Sequence, residues 1–231
     1  MRVIVVVESS KTVVTAASAV AGIEDGMTVH VGGWGGIGVP DALITALAAK
    51  GPKNLTITTN NCGMGRPGDV GELFKAGCVA RVITTFPVHA GAADFRFRLE
   101  SGEVVLEVLP QGTLAERLRA AGAGLGGFFT PTGVGTPIAD GKLTRTVDGR
   151  TYVFEDPLPG DFALIKAAQS DPWGNLRFRF ASRGFNPVMA MAAKHTVVQA
   201  QELVRLGSIA PDDVHLSGVF VDRVYVEGAR T

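Results

Sequence analysis

Only two cysteines, Cys62 and Cys78, occur in the 231 residues, and they form neither a C-x-x-C pair nor a disulfide framework. The four histidines, His30, His89, His195 and His215, are scattered without the spacing of metal ligands. Neither a structural metal nor a stabilising disulfide is expected from that distribution. Charge of one sign is also lacking. The 22 basic residues balance the 22 acidic ones, so no net field draws the chain to nucleic acid or to an anionic membrane. Long hydrophobic runs are missing too. The apolar stretch within Met1–Glu8 carries one basic residue and is too short for a signal peptide or a membrane span, so a cytoplasmic location is expected. No Pro/Ser-rich or charged tract divides the chain and no internal repeat appears, which favours a single domain over residues 1–231. A nucleophile is equally hard to find. Ser182, Ser208 and Ser217 lack a G-x-S-x-G elbow, and Cys62 has no obvious partner base.

What is abundant is glycine, 30 residues, within a 46% hydrophobic composition. Ser10 is placed to cap a helix running to about Val20, after which Gly22 and Asp25-Gly26 form a stop. Met27 to Val31 reads as a strand and Pro40 to Lys50 as a helix. Proline and an acid stand at its start, Leu43, Ile44 and Leu47 share one face, and Gly51-Pro52 follow its end. The strand Leu55 to Thr58 closes a strand–helix–strand unit, which implies a parallel sheet. The alternation continues with a helical piece Gly71–Ala76, a strand Val79–Thr85, a strand Val104–Leu109 and a helix Thr113–Ala121. Phe95 to Leu99 alternates aromatic and basic residues, read as one buried and one solvated face. From Phe128 to Tyr152 the chain is rich in Gly, Thr and Pro, an irregular excursion with a hairpin at Asp148-Gly149. Buried-strand character returns at Asp161–Ala167, and Leu176–Phe180 has the strict alternation of an antiparallel or edge strand. A helix Pro187–Lys194 and strands Thr196–Ala200 and Val219–Val226 follow. The fold class expected is α/β, an open and mainly parallel sheet flanked by helices.

Chemistry concentrates between Val29 and Pro40. Gly33-Trp34-Gly35-Gly36-Ile37-Gly38 fits G-x-G-x-x-G between a strand and a helix, the context of a dinucleotide fingerprint. A nicotinamide-dependent oxidoreductase is therefore one reading. It requires an acidic residue at the end of the next strand, and that strand ends in Thr58-Thr59-Asn60-Asn61 instead. Two amides at the carboxyl rim of a parallel strand suit ligand orientation or an asparagine turn. Gln111, after the strand that ends near Leu109, offers an amide to a carboxylate or thioester oxygen, or starts the helix that follows.

The run from Asp25-Gly26 through Val31-Gly32-Gly33-Trp34 to Gly38-Val39-Pro40 resembles the first signature of the family I coenzyme A transferases. Asn60-Asn61, Pro110 to Arg117, Phe129 to Thr136, Asp161 to Lys166 and Phe185-Asn186-Pro187 resemble further blocks of the same alpha chain, so the likeness spans about residues 10 to 226. The resemblance implies an open α/β sheet and a ping-pong reaction. CoA passes from succinyl-CoA, or a similar acyl-CoA, to a 3-oxo acid by way of a glutamyl-CoA thioester, with 3-oxoadipate ahead of acetoacetate as acceptor. The glutamate would belong to a partner beta subunit, in a heterodimer or heterotetramer, so no nucleophile is expected in this chain. The coenzyme A thioester is then a substrate, with no permanently bound cofactor. Gly32, Gly33, Trp34, Gly35, Gly36, Ile37 and Gly38 would bind CoA, and Asn60, Asn61 and Gln111 would orient acyl and carboxylate groups. Two departures stand out. Trp34 replaces the phenylalanine of the signature, and Val88 follows Phe86-Pro87 where 3-oxoadipate enzymes tend to carry an arginine. A non-catalytic scaffold protein that kept the fold is the remaining alternative.

Overall fold

A computed structural model describes residues 10–13 and 15–228, so the Met1–Glu8 run lies outside the described residues. The chain opens with β1 (Thr12–Val13) and a short helix α1 (Ala16–Ala19). The helix expected from Ser10 is therefore shorter. Thr15 caps it, accepting a hydrogen bond from the Ser18 N–H, because the preceding residues are drawn into a parallel pairing of Thr12 and Val13 with Val224 and Tyr225.

Strands and helices then alternate through β2 (Thr28–Val31), α2 (Asp41–Lys50), β3 (Leu55–Asn61), α3 (Gly71–Lys75), β4 (Val79–Phe86), α4 (Ala93–Glu100), β5 (Val105–Val108) and α5 (Gln111–Gly122). Helix α2 follows its sequence signals closely. Pro40 precedes it, Asp41 sits in its first turn, Leu43, Ile44 and Leu47 are buried, and Gly51 ends it at φ 72°, where a side chain would be strained. Phe95–Leu99 departs from the expected face alternation because it lies in helix α4. At the 3.6-residue period Phe95 is buried against Phe74 while Phe97, two positions on, is exposed.

The excursion contains β6 (Phe128–Thr130), β7 (Thr144–Val147) and β8 (Arg150–Glu155) in a small antiparallel sheet ordered β6-β8-β7. Asp148 and Gly149, both at positive φ, make the hairpin turn between β7 and β8. The main sheet then resumes with β9 (Gly160–Ser170), β10 (Leu176–Arg177), α6 (Asn186–Ala192), β11 (Ala193–Leu203) and β12 (Arg223–Val226). Two terminal expectations shorten. Strand β10 stops at Arg177, since Phe180 begins a 3₁₀ turn at φ 50°, and Gly218–Phe220 is a second 3₁₀ turn ahead of β12.

The main sheet runs β1-β12-β11-β9-β2-β3-β4-β5, all parallel, with β10 added antiparallel to β9. Both faces are covered, and the inner strand β9 accordingly carries the continuous buried apolar run Phe162–Ile165. In β9, Phe162 and Leu164 join the core under α2 and α3, while Ala163, Ile165 and Ala167 join the core under α5 and α6. The order reverses at β2. The chain runs from β2 outward to β5, then returns to place β9 on the other side of β2. Loops leaving β2 and β9 therefore diverge at their carboxyl ends and open a crevice there, the place where open α/β sheets bind ligands.

Candidate active site

The glycine-rich loop emerges into that crevice as a tight hairpin. The Trp34 N–H donates to the Ile37 carbonyl at 2.8 Å and the Ile37 N–H returns to the Trp34 carbonyl at 3.0 Å. Gly35 and Gly36, at φ 56° and 83°, supply the two positive φ angles that a two-residue type I′ turn requires. The flanking glycines serve a different purpose. A Cβ on Gly32 would fall 1.9 Å from Asn186 Oδ1, and one on Gly38 would fall 2.6 Å from the Ser182 carbonyl. Gly33, at φ 114°, packs against Val39. The seven-residue stretch thus divides into a packed base, Gly32, Gly33 and Gly38, and a projecting tip, Trp34, Gly35, Gly36 and Ile37, with both large side chains about half exposed.

Asn186 holds the base together. Fully buried on α6, it accepts from the Lys166 N–H at 3.1 Å and donates to the Gly38 and Ser182 carbonyls at 3.0 and 2.7 Å. One amide therefore ties the loop after β2 to β9 and to the segment before α6. Nothing in local periodicity marks that role.

At the tip, three polar groups meet. The Gly35 N–H donates to Asn60 Oδ1 at 3.1 Å. Asn60 Nδ2 then donates to Thr85 Oγ1 at 3.0 Å and to Gln111 Oε1 at 3.4 Å. The hydroxyls of Thr84 and Thr85 both donate to the Asn60 carbonyl. This chain of bonds fixes the amide orientations: with Gln111 Oε1 accepting from Asn60, the Gln111 NH₂ group is left to donate outward from an exposed position. The Gly36 N–H at the turn finds no intramolecular acceptor among the described residues. Asn61 is not part of this cluster. Its carboxamide oxygen accepts from the Gly63 N–H at 3.0 Å and closes an asparagine turn.

Cys62 is fully buried, and loss of solvation pushes its thiol up to about 12, only partly offset by the Thr84 hydroxyl, so it stays a thiol. Among the described residues no group of three or more His, Cys, Asp or Glu side chains is placed to hold a metal ion. Of the histidines, His89 and His215 accept backbone N–H groups through Nδ1, His195 lies 3.8 Å from Asp222, and His30 is enclosed between β2 and the start of β9.

The dinucleotide reading fails on the geometry of α2. Its first turn carries Asp41, and the Ala42 and Leu43 N–H groups donate to Gln199 Oε1 at 2.9 and 3.4 Å. Gln199 Nε2 in turn donates to Asp41 and Glu227, and Lys166 bridges the same two carboxylates at 2.5 and 2.7 Å. A pyrophosphate needs those N–H groups free and no acid beside them.

Residues 13–227 match the sequence profile of the coenzyme A transferase family. The chain belongs to that family. It is 50% identical over 221 residues to the alpha chain of the 3-oxoadipate CoA-transferase of Pseudomonas putida, a match covering 95% of each chain. It is 46% identical over 216 residues to the corresponding chain of the succinyl-CoA:3-ketoacid coenzyme A transferase of Xanthomonas campestris pv. campestris, covering 93% of this chain and 88% of that one. Among solved structures, an acyl-CoA transferase from E. coli O157:H7 in a thioester complex with CoA superposes with a TM-score of 0.82 at 25% identity. That match covers 97% of this chain and 48% of the other, so the CoA-transferase fold seen here spans about half of that longer enzyme. Among the described residues no helix is long and apolar enough to cross a membrane.

Proposed function

We propose that the chain is the alpha half of a two-chain 3-oxoacid CoA-transferase. In this reading CoA moves from succinyl-CoA or a similar acyl-CoA to a 3-oxo acid, 3-oxoadipate ahead of acetoacetate, through a glutamyl-CoA thioester on a beta subunit. A cytoplasmic location goes with it. The observation that carries the reading is the Gly35–Asn60–Gln111 chain of hydrogen bonds, which presents aimed neutral donors at the crevice.

The chemistry follows from those groups. When a carboxylate attacks a thioester, charge develops on the carbonyl oxygen, and donors already held in place stabilise it without reorganising. Gln111 Nε2 and the Gly36 N–H are the available donors, and Asn60 holds Gln111 to its task. The hairpin at Trp34–Ile37 would lie along the CoA thioester, with the Trp34 and Ile37 side chains excluding water from it. Neutral donors suit a reaction that must also accept an acyl carboxylate, because they lower the cost of bringing a negative charge out of water. Asn61 contributes through its turn, which sets the course of the chain after β3.

Reconstitution tests the reading. The chain with its beta partner should exchange CoA between succinyl-CoA and a 3-oxo acid and accumulate a partner-borne glutamyl thioester. The isolated chain should be inactive, and robust turnover by it alone would defeat the division of labour.

A further inference from the structure

We propose that Arg66 recognises the distal carboxylate of a dicarboxylic acyl substrate whose thioester end lies at the Trp34–Ile37 hairpin. This assignment rests on the CoA-transferase reading and deepens it by naming the substrate class. The crevice beside the hairpin has a volume of about 620 Å³ and is lined by three cations, Arg66, Lys166 and Arg179, and two acids, Asp41 and Asp69. Four of these five are already committed. Lys166 is neutralised by Asp41 and Glu227 at 2.5 and 2.7 Å. Asp69 is buried and spends its carboxylate on backbone N–H groups, with Oδ2 accepting from Met64 and Arg66 at 2.7 and 2.9 Å and Oδ1 from Gly71 at 2.7 Å. The Arg179 guanidinium lies over the Phe180 ring, 5.0 Å from its centre.

Arg66 is different. Among the described residues no carboxylate forms an ion pair with it or with Arg179, and unlike Arg179 it lies over no aromatic ring. Its Nη1 lies 3.2 Å from the position a Cβ on Gly36 would take, so the guanidinium rests over the tip of the hairpin. Glycine at 36 makes room for that approach. The loop carrying Arg66 is also built to stay where it is. Asp69 fixes it from inside, and from outside Gly91 packs so closely that a Cβ there would fall 2.2 Å from the Met64 carbonyl carbon. The neighbouring turn, Phe86 to Gly91, packs on this loop through Gly91 and contains Val88 but no arginine or lysine. A planar guanidinium held at one end of a site matches a carboxylate with two parallel hydrogen bonds, which a monocarboxylic acyl chain has no group to accept. Arg66 thereby selects dicarboxylic over monocarboxylic 3-oxo acids.

The test compares Arg66→Met with wild type in the reconstituted two-chain enzyme, using 3-oxoadipate and acetoacetate as acceptors. Because Arg66 is exposed and its backbone N–H still reaches Asp69, the variant should keep the wild-type melting temperature. The kcat/KM for 3-oxoadipate should fall about 10- to 100-fold and the KM for succinyl-CoA, itself a dicarboxylic acyl thioester, should rise, while kcat/KM for acetoacetate, which in a ping-pong reaction does not depend on the donor half-reaction, should stay as it was, and Arg66→Lys should recover part of the loss. Equal losses of kcat/KM for both acceptors, an unchanged kcat/KM for 3-oxoadipate, or a loss produced by Arg179→Met and not by Arg66→Met would each overturn the assignment. If the wild-type complex transfers no CoA, the functional reading fails by itself, and calorimetric titration with adipate and hexanoate judges the site. A wild-type preference for adipate that disappears in Arg66→Met upholds it. No preference, or the same preference in both, overturns it.

Discussion

The carboxamide of Asn186 occupies the space that a side chain on Gly32 would need, its oxygen 1.9 Å from the missing Cβ position. The two residues are far apart in sequence, yet neither has its conformation without the other. Gly32 gives the amide room, and the amide, through the Gly38 and Ser182 carbonyls and the Lys166 N–H, holds the base of the hairpin.

Asn186→Ala should therefore cost stability as well as activity. It strands two carbonyls and one N–H in a partly buried environment, a loss of about 2–3 kcal/mol. Gly32→Ala should do comparable damage by forcing the amide away. Denaturant unfolding of the two variants checks both. A wild-type unfolding midpoint for either would show that the hairpin base does not depend on this contact.

At the hairpin tip, the Asn60–Gln111 pair predicts coupled kinetics. Gln111→Ala removes an outward donor and should lower kcat of the reconstituted enzyme by about 10²-fold, the scale of losing one oxyanion donor. Asn60→Ala frees both Gly35 and Gln111, so the double variant should be scarcely worse than Asn60→Ala alone. Steady-state rates on the four enzymes of the cycle measure the coupling. Strict additivity would mean that Asn60 does not act through Gln111.

His30 predicts a pH dependence of stability. It is fully buried, neither ring nitrogen has a well-formed hydrogen bond, and desolvation lowers its pKa to about 4 against the ordinary 6.5, with the Leu158 backbone and the Asp161 charge pulling only weakly the other way. In the folded chain the imidazole is neutral. Between the two values the unfolded chain binds a proton that the folded chain refuses, so stability is complete above about pH 6.5 and falls as the pH drops toward 4. The loss reaches about 3 kcal/mol for this group alone. Urea unfolding of wild type and His30→Leu at about pH 7, 5.5 and 4.5, values chosen to span that window, should show a shallower decline in the variant. Identical slopes would mean that His30 is not the group responsible.

Local sequence decided the elements whose signals are short-range. Pro40, Asp41 and Gly51 bound α2 because backbone geometry and capping act within a few residues, and Asp148-Gly149 makes its hairpin for the same reason. The alternation of strands and helices from Thr28 to Gly122 is enough to indicate a parallel sheet, and the blocks around Gly32–Gly38, Asn60 and Gln111 are enough to indicate the family. Phe95–Leu99 is ambiguous by itself, because five alternating residues satisfy a strand face as well as they satisfy two sides of a helix, and the packing of Phe95 on Phe74 settles it as helix.

Only the tertiary structure decided how the site is held. The return of β9 beside β2 brings Asn186 to Gly38 across 148 residues and Gln199 to the start of α2 across 157, contacts that no local pattern encodes. The same packing separates Asn60, which reaches the hairpin, from its neighbour Asn61, which turns inward to Gly63, since successive residues of a strand face opposite ways. It also turns Arg66 from an ordinary loop residue into a guanidinium over Gly36, because the loop after β3 folds back onto the hairpin after β2. The chain's own chemistry was written in its glycines and amides, and the spacing between them was set by the reversal of strand order at β2.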